Sequence, residues 1–205
     1  MQDQTQVIGL VGSYREGGTI DTAVGEVLAA AAEGGATTRK IRLAEQHIEF
    51  CTNCRGCMQD PGTERGACIF RDEDDMESIL QAIERADAIV LGAPVNLGDI
   101  NALTRRFMER SVGTLYWPWG TQGAPKLRNP KSARRAVLVS SSAAPGPMNN
   151  RLFGLRAMRS LKVLAGMLSA EVVGKLKVGF VVKKDFQLSE RDQRRARALG
   201  AKLLR

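Results

Sequence analysis

All four cysteines of this chain fall between residues 51 and 68, at Cys51, Cys54, Cys57 and Cys68. The first three read C-T-N-C-R-G-C, a C-x2-C-x2-C step that lets a tight loop turn three thiolates toward one point. The fourth returns from an excursion to close a tetrahedral set. Gly56, Gly62 and Gly66, with Pro61, supply the turn-prone backbone such a loop needs. Three readings compete: a [4Fe-4S] centre, a structural zinc, and thiols that bind nothing or pair reversibly with one another. Zinc sites more often show two C-x2-C pairs with a longer spacer, so the closely stepped cysteines favour iron-sulfur. No Ser/His/Asp or Cys/His nucleophile system is visible. His47, the one histidine, reads as structural or exposed, and no catalytic side chain is assigned.

The chain that must position this loop has 205 residues and suits one domain over 1–205. Its start, Met-Gln-Asp-Gln-Thr-Gln, has neither a basic n-region nor an apolar h-region, and no apolar run is long enough to span a bilayer. A cytoplasmic protein with no membrane partner is therefore expected, and a reducing cytoplasm argues against a disulfide framework. The formal net charge of +8 draws anions, whether a phosphorylated cofactor, nucleic acid or an acidic protein. The densest basic group, Arg191, Arg194, Arg195 and Arg197, falls in a terminal amphipathic helix and reads as a solvated face. No interleaved aromatics accompany it, so nucleic acid is not an expected partner.

Periodicity predicts a strand at Val7–Val11, a helix at Thr19–Ala32, a strand at about Thr38–Leu43, the cysteine loop, and a helix near Asp74–Ala86. A third strand at Ala88–Ala93, a helix at Asn101–Arg110, a strand at Ala136–Ser140, a helix at Arg151–Met167, a strand within Val172–Val182 and a helix at Ser189–Leu204 follow. The long connection Val112–Ser132 holds Trp117 and Trp119 and reads as functional. Strand and helix alternate, which predicts an α/β three-layer sandwich of flavodoxin type, a five-stranded parallel sheet in order 2-1-3-4-5. In such a sheet the ligand lies outside the carboxyl ends of the strands, where the loops after strands one, three and four converge.

The first of those loops, Gly12-Ser13-Tyr14-Arg15-Glu16-Gly17-Gly18-Thr19-Ile20, opens a helix, where backbone amides and the helix dipole can hold a phosphate. Ser13 and Thr19 add hydroxyls and Arg15 a charge; a glycine-rich turn with a threonine cap is the plainer alternative. The loop is neither Walker A nor G-x-G-x-x-G, which argues against an NTPase or a typical NAD domain. The second loop runs through Pro94, Val95, Asn96, Leu97 and Gly98, where glycine lets the backbone approach a flat ligand. The third begins at Ser140 and Ser141 and reaches Gly146; its hydroxyls suit a flavin edge or simply a tight turn. The two tryptophans read either as flavin-stacking residues or as anchors of a subunit interface.

With these loops in this order, the sequence resembles the NADPH-dependent FMN reductase-like flavoproteins, particularly their iron-sulfur branch, over roughly the first 145 residues and beyond that by element order. The resemblance implies that Gly12, Ser13, Arg15, Gly18 and Thr19 hold the FMN phosphate, with Ile20 beside them, and that Pro94, Val95, Asn96, Leu97 and Gly98 lie against the isoalloxazine. It also implies that Cys51, Cys54, Cys57 and Cys68, with the acidic Asp74-Asp75-Met76, match the family's cluster block. Asn96 stands where the family usually has an aromatic residue, and the spacing to Cys68 is longer than usual. The implied protein is an FMN-dependent oxidoreductase that uses NAD(P)H, relays electrons through a [4Fe-4S] cluster, and forms a homodimer or homotetramer through the Val112–Ser132 loop. Two alternatives stand beside it: an electron-transfer flavoprotein that exchanges electrons with a carrier protein, and a zinc- or thiol-stabilised binding module.

Overall fold

The computed structural model describes residues 4–130, 134–145 and 154–204. Three short apolar runs make its centre: β1 (Gln6–Val11), β3 (Ala88–Asn96) and β7 (Arg134–Ser141). Each is apolar on both pleat faces, the pattern of a strand covered on both sides. Ile8 and Leu10 of β1, Ile89 and Leu91 of β3, and Leu138 of β7 pack into one core. Their neighbours Val7, Val11, Val90, Val137 and Val139 pack into another on the opposite face. With β2 (Thr37–Arg42) and β8 (Ala170–Val178) they form a parallel sheet in spatial order β2-β1-β3-β7-β8. Counting long strands only, this is the expected 2-1-3-4-5.

The helices divide between the two faces as the cores require. On one side α2 (Met76–Arg85), α3 (Ala102–Arg110) and α4 (Gly154–Met167) insert Ile79, Ile83, Leu103, Phe107, Leu161 and Leu164. On the other, α1 (Thr19–Glu33) and α5 (Glu190–Lys202) insert Ile20, Val24, Val27, Ala196 and Leu199. Ser189 caps α5 by accepting from Asp192 N at 3.1 Å, and Asn101 caps α3 by accepting from Thr104 N, also at 3.1 Å. The basic terminal helix is partly charge-balanced: Arg194 pairs with Glu190 and Arg195 with Asp192 within it, and Arg197 with Glu26 and Glu33 of α1. Among the described residues no helix is long and apolar enough to cross a membrane.

Two segments differ from the sequence-based expectation. The third strand does not stop at Ala93 but runs on to Asn96. There Leu97 and Gly98 turn it back, with φ of 48° and 85°, into the two-residue β4 (Asp99–Ile100). Two successive positive φ values are those of a tight hairpin turn. The long connection is also ordered: a single turn at Ser111–Thr114 leads to β5 (Leu115–Tyr116), which pairs antiparallel with β6 (Lys126–Leu127). Residues 151–153 of the expected fourth helix lie outside the described residues, as does Gly146.

Candidate functional site

The carboxyl ends of β1, β3 and β7 bring together the loops that the sequence singled out. Gly12 ends β1, donates to Gly92 O at 2.7 Å, and offers its carbonyl to Asn101 Nδ2 at 2.7 Å and Thr104 Oγ1 at 3.3 Å. A Cβ at this position would lie 2.0 Å from Thr104 Oγ1 and 3.0 Å from Gly92 O, so only glycine lets three segments meet there. Ser13 is buried, and its hydroxyl accepts from Arg15 N at 3.2 Å, which shapes the turn; Arg15 itself is exposed.

The N-cap of α1 is Gly18, not a threonine, and no side chain caps the helix. Thr19 is its first helical residue, so the threonine cap of the plainer alternative does not occur. The first amides of α1 therefore lack intrahelical acceptors and carry the positive end of a 15-residue helix dipole, a ready place for a phosphate. Ile20 is 2% exposed within the core and can offer a ligand only its backbone. Asp21 in the same turn is buried yet ionised. Burial pushes its carboxyl up, but Lys40 at 2.7 Å, Gly17 N and Arg42 at 2.8 Å outweigh that and hold it below the usual range. Lys40 and Arg42, on β2, thus neutralise an acid that would otherwise repel an anion.

Across the sheet edge, Ala93 is in register with Ser140 and Pro94 with Ser141. The hydroxyls of Ser140 and Ser142 are buried without a hydrogen-bond partner. Buried hydroxyls of that kind call for an acceptor or donor not supplied by the chain itself. An uncapped helix start, two orphaned hydroxyls and the hairpin tip of Leu97 and Gly98 thus share one edge of the sheet. Asp99 holds that hairpin in place, accepting from Arg105 at 3.0 Å and from Ser160 at 2.7 Å.

The four cysteines line one cavity of about 500 Å³, shared with Arg55, Met58, Ile69, Phe70, Arg110 and Trp117. All four are free thiols. Among the described residues no three of His, Cys, Asp or Glu are placed to hold a single metal ion. The four thiols thus share the lining of one cavity without forming a single-ion site. Burial, followed by the charges of Cys68, Cys51 and Cys54, pushes the Cys57 thiol up to about 11. Cys54 is exposed. In the metal-free protein, alkylation at pH 8 is expected to label Cys54 first and Cys57 last, since only roughly one Cys57 in a thousand would be ionised. Mass spectrometry of a timed iodoacetamide reaction reads the order, and early labelling of Cys57 would contradict its half-buried placement.

The long excursion before Cys68 folds back by means the sequence did not reveal. Arg65 binds Glu77 at 2.9 Å and Glu84 at 2.8 Å on α2. Arg128 donates to the carbonyls of Gly113 at 3.1 Å, Gly62 at 3.3 Å and Cys57 at 3.1 Å. Asp74 and Asp75 tie the front of the loop: Asp74 accepts from Glu49 N at 2.8 Å, and Asp75 from His47 N at 2.7 Å. His47 itself is a surface residue, 3.0 Å from Glu49.

Trp117 lines the cysteine cavity, and it and Trp119 have a stacking partner within the chain. They enclose the Arg55 guanidinium, whose central carbon is 4.1 Å and 3.9 Å from their ring centroids, so their stacking partner is an arginine of the cysteine loop.

Helix α3 connects the two regions. Its cap Asn101 holds Gly12 O at the carboxyl edge of the sheet, and its last residue, Arg110, faces Cys68 and binds Asp74 at 2.5 Å. Nine residues separate the regions by about 13 Å of helix. Sequence reading missed Thr104, Asn101 and Arg110; the only signal was an asparagine at a helix start.

The chain matches the NADPH-dependent FMN reductase family over residues 5–180. It is 38% identical over 106 residues to an iron-sulfur flavoprotein of Methanocaldococcus jannaschii, covering 52% of this chain and 51% of that protein. It is 26% identical over 163 residues to another iron-sulfur flavoprotein of that organism, covering 80% of this chain and 73% of the other. The chain thus spans about half the length of the first of these relatives. In fold it resembles the NAD(P)H:quinone oxidoreductase from Methanothermobacter marburgensis, with a TM-score of 0.74 at 18% identity over 99% of this chain and 98% of that one. With the match extending from the start of β1 past the end of β8, the chain belongs to the NADPH-dependent FMN reductase family.

Proposed function

We propose that the protein is an FMN-dependent NAD(P)H oxidoreductase whose flavin lies at the carboxyl edge of β1, β3 and β7. The observation that carries this reading is the pairing of an uncapped α1 start with the orphaned hydroxyls of Ser140 and Ser142 across the same edge. Gly12, Ser13, Gly18 and Thr19 would hold the phosphate by backbone and hydroxyl donors, with Arg15 as an exposed charge. Pro94 to Gly98 would cover the ring, and Ser140, Ser141 and Ser142 would meet its edge. Bound FMN supplies acceptance of a hydride and release of electrons singly. The chain contributes orientation and electrostatics: Lys40 and Arg42 cancel the Asp21 charge, and Asn101 and Thr104 keep the Gly12 carbonyl away from the phosphate side. No side chain here is assigned to proton transfer.

The four-cysteine cavity supports a second element of the reading, a [4Fe-4S] cluster held by Cys51, Cys54, Cys57 and Cys68. The cavity is far larger than one ion requires, and buried N–H donors of Arg55, Arg110 and Trp117 on its lining residues have no partner. Such donors suit the sulfurs of a cluster, which would pass single electrons to or from a carrier protein. Free thiols suit a cytoplasmic setting. Exposed Tyr14, Leu97 and Phe180, near the carboxyl edge, fit a rim covered by a second copy in a homodimer or homotetramer.

Anaerobically purified protein should show flavin absorption, about one FMN and about four irons per chain, and oxidation of NADPH or NADH under an excess of quinone. Flavin without iron leaves a simpler reductase. A colourless protein that takes up no FMN overturns the reading. A flavin that NAD(P)H cannot reduce but a carrier protein can reassigns the protein to electron transfer.

A further inference from the structure

We propose that Arg55 and Trp117 are positioning residues that set the electron affinity of the cysteine-held centre. Their fixed N–H groups would donate to its sulfurs, with Arg110 as a third donor. The inference rests on the iron-sulfur reading of the cavity given above.

Three buried nitrogens on residues lining this cavity have no acceptor: Arg55 Nε, Arg110 Nε and Trp117 Nε1. All are donors, and the other lining groups are mainly four thiols and apolar side chains such as Met58, Ile69 and Phe70. Buried donors normally find acceptors. The acceptors this wall can serve are sulfurs carrying negative charge.

The donors are also held still. Arg55 adopts a left-handed backbone, φ 58°, its guanidinium is stacked between Trp117 and Trp119, and Nη2 donates to Trp117 O at 2.6 Å. Trp117 N donates to Met58 O at 3.0 Å, and Gln59 reaches from Arg55 O to Trp119 N with bonds of 2.8 Å and 3.0 Å. Arg110 is 4% exposed and anchored by Asp74 and Glu49 O. Donors fixed before an electron arrives need no rearrangement when charge appears, the condition under which they act most strongly.

The step concerned is transfer of one electron from a reduced flavin to the centre, with no covalent bond formed or broken and no proton moved. The electron would enter mainly iron orbitals and raise the negative charge density on the sulfurs around them. N–H groups and the Arg55 cation stabilise that charge more than they stabilise the oxidised state, so they raise the reduction potential.

The test uses the full chain loaded anaerobically with iron and sulfide, and reads the midpoint by a redox titration followed in the visible spectrum. Trp117→Phe keeps the ring on Arg55 and removes one N–H; Arg55→Lys keeps the charge and removes the Nε donor. Each is expected to move the midpoint negative by about tenfold in the reduction equilibrium, about 59 mV for one electron. Trp119→Phe should leave it in place, because Trp119 contributes stacking and not an orphaned donor. Wild-type loading, by iron analysis, with an unchanged midpoint in both Trp117→Phe and Arg55→Lys overturns the inference while the cluster reading stands. So does a shift in Trp119→Phe equal to that in Trp117→Phe. Wild-type protein that takes up no iron overturns the cluster reading itself, and this inference with it.

Discussion

Arg110→Ala should be among the most destabilising single substitutions in the chain, lowering stability by about 3–5 kcal/mol, the usual result of stranding one member of a buried ion pair. The side chains of Arg110 and Asp74 are 1% and 0% exposed. Asp74 also accepts from Glu49 N and Met76 N, and Arg110 also donates to Glu49 O, so the pair fastens the end of α3, the start of α2 and the front of the cysteine loop. For a chain of this length that loss is a fall in melting temperature of roughly 10 °C. The double variant Asp74→Leu/Arg110→Met should recover part of it, since apolar groups of similar size remove the uncompensated charge. A double variant no more stable than Arg110→Ala would show that the pair acts through its bonds to the loop and not through charge balance.

The same pair fixes a pH dependence. Burial alone would push the Asp74 carboxyl up, but Arg110 and the two backbone amides outweigh it and hold it below its usual 3.8. Arg65 holds Glu77 down from 4.5 to about 2. A carboxyl with a lowered folded-state pKa contributes stability that is fully present above its unfolded value and disappears as pH falls through the folded value. Wild-type melting temperature should therefore decline from about pH 4.5 toward pH 2. Asp74→Asn should start lower at pH 7 and decline less steeply, a difference visible in melts across that range.

How far the sequence led depended on whether a feature left a periodic trace. The strands β1, β3 and β7 were legible because parallel strands buried on both faces are short unbroken apolar runs, and the sheet order followed from their alternation with helices. The glycine-rich start of α1 was legible as a strand-to-helix turn, but its details were not: Gly18 and not a threonine is the cap, and the Asp21 charge is cancelled from β2 by residues far along the chain. The return at Leu97 and Gly98 escaped notice because leucine rarely takes a positive φ, and the usual Asn-Gly signal is missing. Trp117 and Trp119 suggested a flat ligand and proved to enclose Arg55, since any stacking partner satisfies an aromatic ring equally well on paper. What holds the cysteine loop is mostly arginine bonded to carbonyl oxygens, at Arg128 and Arg55, and such bonds have no sequence spacing to betray them.

Gly66→Ala should uncouple the cysteine cavity from the carboxyl edge of β1, β3 and β7. Gly66 N donates to Gly113 O at 2.9 Å, and a Cβ at residue 66 would stand 1.8 Å from Cys57 O and 2.7 Å from Cys57 C. Those are backbone atoms with no rotamer to escape into. Gly113 is equally confined, its own Cβ position lying 2.7 Å from Gly66 O, so neither strand of the contact can absorb the methyl. The excursion must lift away from Cys57. That breaks the Gly66 bond, strains the three carbonyl bonds of Arg128, and carries Cys68, two residues on, out of the ring of thiols. The stability cost should exceed the ~1–3 kcal/mol of an ordinary overpacked core, where side chains can shift. The functional effect should be selective: Cys57 becomes open to alkylation and iron uptake falls to background, while FMN titrated into the protein still loses fluorescence as it binds. The loops at that edge survive because their anchors, Asn101 and Thr104 on Gly12, lie at the other end of α3. If Cys57 of Gly66→Ala is alkylated no faster than in wild type, the excursion is not what covers it. If FMN binding is lost together with iron, the two ends of α3 form one cooperative unit, and α3 is then a lever between the sites instead of a rigid spacer.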